Sequence, residues 1–240
     1  MLSFLPSALR GLIAACLLVF NTLLLGPLLI GVSLLRFIIP LRGWQKGCTA
    51  VAIWIAELWI TFNSFWMRLT QPMQWDVEGI EQLDKKQWYL VTSNHQSWAD
   101  IFILQYLLNR KIPMLKFFLK RQLIWVPLIG LCWWALDFPF MKRYSKEYLS
   151  KNPHKRGQDL ESTRRACEKF KHTPVSVFNF LEGTRFTSSK HQAQQSPYQW
   201  LLKPKAGGIA FVVDALGHSI SALVDITIVY PGHKQPSFTD

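Results

Sequence analysis

The sequence predicts an α/β protein, with a largely parallel β-sheet flanked by helices and an N-terminal hydrophobic helical membrane anchor. Three observations carry that reading. The stretch from Gly11 to Leu35 contains no charged residue. Beyond Trp88, strand-like and helix-like segments alternate, the pattern of a parallel sheet. Residues able to do chemistry stand where the predicted strands end, which is where open α/β sheets bind ligands.

The anchor comes first. Twenty-five helical residues span about 37 Å, and a bilayer core is about 30 Å thick. A second apolar run, Cys48 to Met67, is interrupted only by Glu57 and carries Trp54, Trp59 and Trp66. Indole rings favour the membrane–water boundary. The first run is too long for the apolar region of a signal peptide, so cleavage is not expected. A two-span hairpin would put Arg36, Arg42 and Lys46 on the outer side, against the positive-inside tendency. It would also carry Glu57 to mid-bilayer, at a cost of a few kcal/mol. One deep anchor followed by a partly interfacial helix is the preferred arrangement, and two helices in one leaflet is the alternative. Residues 1–70 are thus assigned to the anchor and 71–240 to an α/β domain.

The elements of that domain follow in order. Met73–Val77 and Trp88–Thr92 read as strands around a polar turn at Asp84-Lys85-Lys86. Ala99–Asn109 is a helix with Ile101, Leu104, Leu107 and Leu108 toward one face. Lys116–Lys120 is a short strand. Leu123–Leu136 is apolar but broken by Pro127 and Gly130, too short to span. Its three Trp favour an interfacial or acyl-chain-lining role over buried core. Phe138–Met141 is a strand, Asp159–His172 an amphipathic helix, Val175–Phe180 a strand, Ala206–Leu216 a helix and Ala222–Tyr230 the last strand.

Composition narrows the function. Half of the 240 residues are hydrophobic, yet Lys plus Arg exceed Asp plus Glu by 27 to 15. Eleven Trp and sixteen Phe exclude a disordered chain. Four scattered cysteines support neither a disulfide framework nor a zinc site. The basic excess lies mainly between Arg110 and Lys171. Beside a membrane anchor it reads as attraction to anionic headgroups and phosphate-bearing substrates. No nucleic-acid motif accompanies it, so a nucleic-acid partner is not expected.

Three strand ends hold the candidate chemistry. After Trp88–Thr92 comes Asn94-His95, with Asp100 five positions beyond His95. On a regular helix the two side chains would diverge by about 140°. With His95 still in the loop, Asp100 can accept from one imidazole nitrogen and leave the other to take a proton, the base-and-orienter half of a triad. Ser93 or Asn94 is the candidate helix cap. After Val175–Phe180 comes Leu181-Glu182-Gly183-Thr184-Arg185. Gly183 permits a tight turn, Arg185 offers a planar fork for phosphate, and Glu182 can fix Arg185 or hold a substrate hydroxyl. After Phe138–Met141 comes Arg143, a second cation. Each motif alone is common. With no nucleophilic Ser or Cys beside His95, the simplest chemistry is direct attack by a substrate hydroxyl deprotonated by His95.

Asn94-His95-x4-Asp100, then Phe138-x4-Arg143, then Phe180-Leu181-Glu182-Gly183-Thr184-Arg185, in this order, resemble the glycerolipid acyltransferase family that includes 1-acylglycerol-3-phosphate acyltransferases. The tail, Lys205 to Asp214 and Asp225 to Pro231, is similar to the branch with lysocardiolipin acyltransferases and related bacterial enzymes. Leu181 stands where the family usually carries Pro, and Pro231 comes late against the usual Val-Pro pair. The resemblance covers about residues 88–231.

The resemblance implies transfer of an acyl group from acyl-CoA or acyl carrier protein to the hydroxyl of a lysophospholipid, most simply 1-acyl-glycerol-3-phosphate. His95 and Asp100 would be catalytic. Arg143, Glu182, Gly183, Thr184 and Arg185 would hold the acceptor and its phosphate, with backbone N–H groups near Gly183-Thr184 offered to the oxyanion. It implies no cofactor and no metal, and a place on the cytoplasmic face of a membrane, a bacterial inner membrane in the simplest case. A lysophospholipase or thioesterase using the same His/Asp pair, and a non-enzymatic lipid-binding adaptor, are the competing readings.

Overall fold

The computed structural model describes residues 2, 4–70, 76–141, 150–152, 170 and 173–231. The strand expected at Met73–Val77 falls largely outside them, as do nearly all of the helix expected at Asp159–His172 and Arg143. Contacts group the chain into two compact units. One comprises Met1–Lys85, Gln96–Met114 and Ile228–Asp240, and the other Lys86–His95 and Leu115–Thr227.

The first unit is helical. Helix α1 (Ser7–Ile38) and helix α2 (Arg42–Thr70) are each long and apolar enough to cross a membrane. Gly11, Ala14, Asn21, Leu25, Gly26, Leu29 and Ser33 form the buried stripe of α1. Small residues at such spacings let helix backbones approach closely in lipid. Polar bonds tie the pair together. The Asn21 Nδ2 donates to Asn63 Oδ1 at 2.8 Å and to the Trp59 carbonyl at 2.9 Å. Trp59 Nε1 returns a bond to Thr22 Oγ1 at 3.0 Å.

Helix α3 (Ala99–Leu108) packs on the C-terminal half of α2. Phe102 meets Trp66 edge-on at 6.2 Å, and Arg68 Nε donates to the Tyr106 hydroxyl at 3.0 Å. Glu57, the one acid in α2, pairs with Lys85 Nζ at 2.9 Å and Arg110 Nε at 3.6 Å. The charge that looked anomalous in an apolar helix is neutralised by the chain that follows.

The second unit holds the sheet. Strands β1 (Tyr89–Ser93), β2 (Leu115–Phe117), β5 (Ser176–Phe180) and β6 (Ala222–Ile226) lie in the order β2-β5-β1-β6, all parallel. Every β1 residue is buried, as befits an inner strand. Strands β3 (Leu119–Lys120) and β4 (Phe140–Met141) form a separate parallel pair. A 3-10 turn (Arg121–Trp125) and helix α4 (Ile129–Ala135) connect them. Helix α5 (Ser188–Gln194) and helix α6 (Gly207–Leu216) follow β5. Val212 and Leu216 of α6 are buried in a cluster with Leu90, Val175 and Val177. Burying a side chain of that size is worth about 1.5–3 kcal/mol.

The expected α/β fold with a parallel sheet is thus the observed one. Three local readings are revised. The expected strand Lys116–Lys120 is split in two. Phe118 turns into the core cluster under α6, and the Leu119 N–H instead donates to the Pro139 carbonyl at 3.0 Å. The final strand stops at Ile226, because its partner β1 ends opposite it at Ser93. Helix α5 was not expected at all; Thr187 caps it, its hydroxyl accepting from the Lys190 N–H.

Candidate active site

His95 meets the condition the sequence set for it. It lies in the loop of residues 94–97, past the carboxyl end of β1 and before α3. Its ring stacks on Phe180, the last residue of the neighbouring strand β5, at 3.8 Å between centroids and 11° between planes. Its main chain is held on both sides. The His95 N–H donates to Glu182 Oε1 at 2.9 Å, and the His95 carbonyl accepts from the Phe186 N–H at 2.7 Å.

Glu182 is only 3% exposed, and its second oxygen accepts from the Leu202 N–H at 2.8 Å. The sequence reading gave this carboxylate to Arg185 or to a substrate hydroxyl. The bonds seen are instead to two main-chain N–H groups, one of them that of His95. A carboxylate accepting two N–H bonds is a charge-assisted clamp, stronger than a neutral pair.

The turn after β5 is built around Gly183. Its φ of +66° is in the left-handed region that glycine tolerates. A side chain there would also meet Lys205 Cδ at 3.1 Å. The Gly183 N–H donates to the Phe180 carbonyl at 2.9 Å, closing the turn. That narrows the expectation of oxyanion donors near Gly183-Thr184, because the Gly183 N–H is already engaged within the turn. Lys190 Nζ donates to Thr184 Oγ1 at 2.9 Å and to the Arg185 carbonyl at 3.0 Å. Arg185 is exposed. Three cations therefore gather at this turn, Arg185 with Lys190 and Lys205. Sequence reading found only the first. A lysine five residues past Arg185, at the start of an unexpected helix, gave no periodic signal.

Asp100 belongs to the helical unit and is fully buried in the first turn of α3. Its Oδ2 accepts from the N–H groups of Gln96 at 2.7 Å and Ser97 at 2.9 Å. A carboxylate at a helix N-terminus satisfies donors that the helix leaves open. Asp100 thus ties the loop before α3 back to the helix's first turn, and the Ser97 hydroxyl accepts from the Ala99 N–H at 3.1 Å; the expected caps Ser93 and Asn94 lie too far upstream, since α3 begins at Ala99. The other oxygen accepts from the Tyr230 hydroxyl. Burial, then the bond to Asp100 and its charge, pushes the Tyr230 hydroxyl well above its usual range. Tyr230 is a partner that sequence reading missed, although it stands just past the last strand.

On the inner strand, Thr92 Oγ1 donates to Asp225 Oδ1 at 2.5 Å across the β1–β6 register. The bond locks the end of β1 that leads into His95.

The Acyltransferase family model matches residues 74–231. The chain is similar to mouse 1-acyl-sn-glycerol-3-phosphate acyltransferase gamma, at 27% identity over 72% of this chain and 49% of the relative. It is also similar to 1-acyl-sn-glycerol-3-phosphate acyltransferase 3 of Arabidopsis thaliana, at 25% identity over 90% of this chain and 58% of the relative. The chain spans about half the length of the curated relatives it matches. Among solved structures, the 1-acyl-sn-glycerophosphate acyltransferase PlsC from Thermotoga maritima superposes with a TM-score of 0.53 at 20% identity, covering 88% of this chain and 72% of that one. At that identity the likeness is one of fold.

Proposed function

The chain belongs to the acyltransferase family, and on that premise we propose that it transfers a fatty acyl group from an acyl thioester to the free hydroxyl of 1-acyl-glycerol-3-phosphate, giving phosphatidic acid. The observation that carries the reading is the clamp between the two motifs. The Glu182 carboxylate holds the main chain of His95, which fixes the imidazole beside the turn bearing Arg185.

His95 takes the proton of the acceptor hydroxyl, and that oxygen attacks the thioester carbonyl. The tetrahedral intermediate collapses, the carbon–sulfur bond breaks, and the thiol departs with the proton returned by His95. The sequence pattern gives Asp100 the orienting role. Arg185, with Lys190 and Lys205 at the same turn, supplies the field for the acceptor's phosphate, and Arg143 joins them on the sequence pattern alone. Acyl-CoA and acyl carrier protein are the two donors consistent with this chemistry, and no cofactor or metal takes part.

The enzyme works on a membrane, on the cytoplasmic face of a bacterial inner membrane in our reading. Helix α1 is the deep anchor, and α2 lies closer to the interface. The support for that difference is Glu57, whose ion pairs with Lys85 and Arg110 give the middle of α2 a polar flank.

The test is a transfer assay with purified protein, one labelled acyl thioester and a panel of lysophospholipids. Transfer to lysophosphatidic acid, abolished in His95→Ala with folding and membrane binding intact, is the expected result. Release of free fatty acid at the same rate without acceptor would instead establish a thioesterase. Unchanged transfer in His95→Ala would overturn the mechanism.

A further inference from the structure

Between Asp100 and Asp137 the sequence has no acidic residue, while Arg110, Lys111, Lys116, Lys120 and Arg121 are basic. The last two open a turn in the sheet unit whose apolar side chains are not buried. Trp125 is 84% exposed, Leu131 50%, Trp134 42% and Val126 37%. Scattered exposed hydrophobics are ordinary, but several large ones within ten residues mark an interaction surface.

The backbone of this turn is built to hold that arrangement. The Val126 N–H donates to the Leu123 carbonyl, and the Val126 carbonyl accepts from the Gly130 N–H at 2.9 Å. Pro127 has no N–H to satisfy, and its carbonyl accepts from the Ile129 N–H. The Leu128 carbonyl accepts from the Cys132 N–H at 3.0 Å. The tip thus pairs much of its main-chain polarity internally, while Trp125, Val126, Leu131 and Trp134 stay exposed. A segment entering lipid must do so, because hydrocarbon offers no replacement partners. Two costs are accepted to close it. Leu128 takes a φ of +60°, disfavoured for a residue with a Cβ. Gly130 sits so close to the preceding limb that a Cβ would lie 2.2 Å from the Ile124 carbonyl oxygen.

We propose that the turn from Lys120 to Trp134 is a membrane-interface wedge that docks the sheet unit on an anionic phospholipid surface, separately from helices α1 and α2. Trp125, Val126, Leu131 and Trp134 enter the headgroup region, where indole rings are favoured. Lys120 and Arg121, both exposed with no acid near them in sequence, meet the lipid phosphates. The charge selects the occupant, since a neutral apolar partner would leave this basic collar unmatched. The inference concerns membrane contact and stands whether or not the acyl-transfer reading does.

The full chain is reconstituted into nanodiscs of phosphatidylcholine with or without phosphatidylglycerol. An environment-sensitive nitrobenzoxadiazole probe is placed at Trp125→Cys, Phe20→Cys or Asp214→Cys, with the native cysteines replaced by serine. Quenching is read with lipids carrying a shallow doxyl group for positions 125 and 214, and with lipids carrying a deep one for position 20 in the anchor. The expected result is quenching at position 125 several-fold above that at 214, comparable to that at 20, and stronger with phosphatidylglycerol. Quenching at 125 no greater than at 214, while position 20 is quenched, overturns the proposal. So does equal quenching with and without the anionic lipid. A second measurement needs no substitution, namely trypsin cleavage after Arg121 of the native chain, read by mass spectrometry. Protection that appears only with anionic nanodiscs supports the wedge. Protection that rises with protein concentration in lipid-free detergent points to a second copy of the chain and overturns it.

Discussion

Glu182 accepts the main-chain N–H of His95 at 2.9 Å, so the turn after one strand holds the residue that follows the end of its neighbour. Glu182→Ala leaves the N–H groups of His95 and Leu202 without that partner. Each buried group left so costs about 1–3 kcal/mol. A lowered melting temperature and a large fall in kcat are therefore expected together. Glu182→Gln tests the clamp more finely. The amide keeps one accepting oxygen but turns an NH2 toward the other N–H, so kcat falls with a smaller loss of melting temperature. Full activity in Glu182→Gln would argue against the clamp.

Tyr230 gives a pH signature. Burial and the Asp100 carboxylate raise its hydroxyl above the ordinary value of 10.0. A folded-state value above the unfolded one means that this contribution to stability is complete below about pH 10 and is lost as pH rises further. Tyr230→Phe removes the bond to Asp100, and bonds to charged groups contribute about 1.5–3 kcal/mol. Denaturant unfolding of the two proteins should show that gap at neutral pH, narrowing under alkaline conditions. A gap that widens with pH would contradict the assignment.

The pattern of what was legible in the sequence has a physical cause. Strands β1 and β5 were readable because they are inner strands, with aromatic and aliphatic residues at three of five positions in each. The order of the two motifs after them was readable for the same reason. Helix α5 was not, because a seven-residue polar helix has no apolar stripe and owes its start to one threonine cap. The main-chain partners of Glu182 and Asp100 were also hidden, since N–H groups of the backbone leave no trace in side-chain identity. Sequence reading therefore singled out Glu182 by its charge, offering it to Arg185 or to a substrate hydroxyl, while its main-chain bonds to His95 and Leu202 become visible only in the fold.

Gly183 separates two demands of the turn. Gly183→Ala places a Cβ on a backbone with φ +66° and within 3.1 Å of Lys205 Cδ. A non-glycine residue in the left-handed region costs about 1–2 kcal/mol. Lys205 is flexible and can yield, so backbone strain sets the expected loss of stability. Adding Lys205→Ala to Gly183→Ala should recover little of it. Substantial recovery of melting temperature in the double variant would show instead that the lysine contact dominates.

Arg185 and Lys190 act on the same turn in different ways, and kinetics can tell them apart. Arg185 is exposed, and in the proposed role Arg185→Ala should raise KM for the lysophospholipid acceptor far more than for the acyl thioester donor. Lys190 is bonded to Thr184 Oγ1 and to the Arg185 carbonyl, so its effect passes through the position of Arg185. Lys190→Met should therefore raise acceptor KM by a smaller factor, and Lys190→Arg should restore part of it. The double variant should be little worse than Arg185→Ala alone, because positioning a side chain that is gone gains nothing. If the two effects multiply instead, Lys190 contacts the acceptor directly, and the phosphate field at this turn is shared between them.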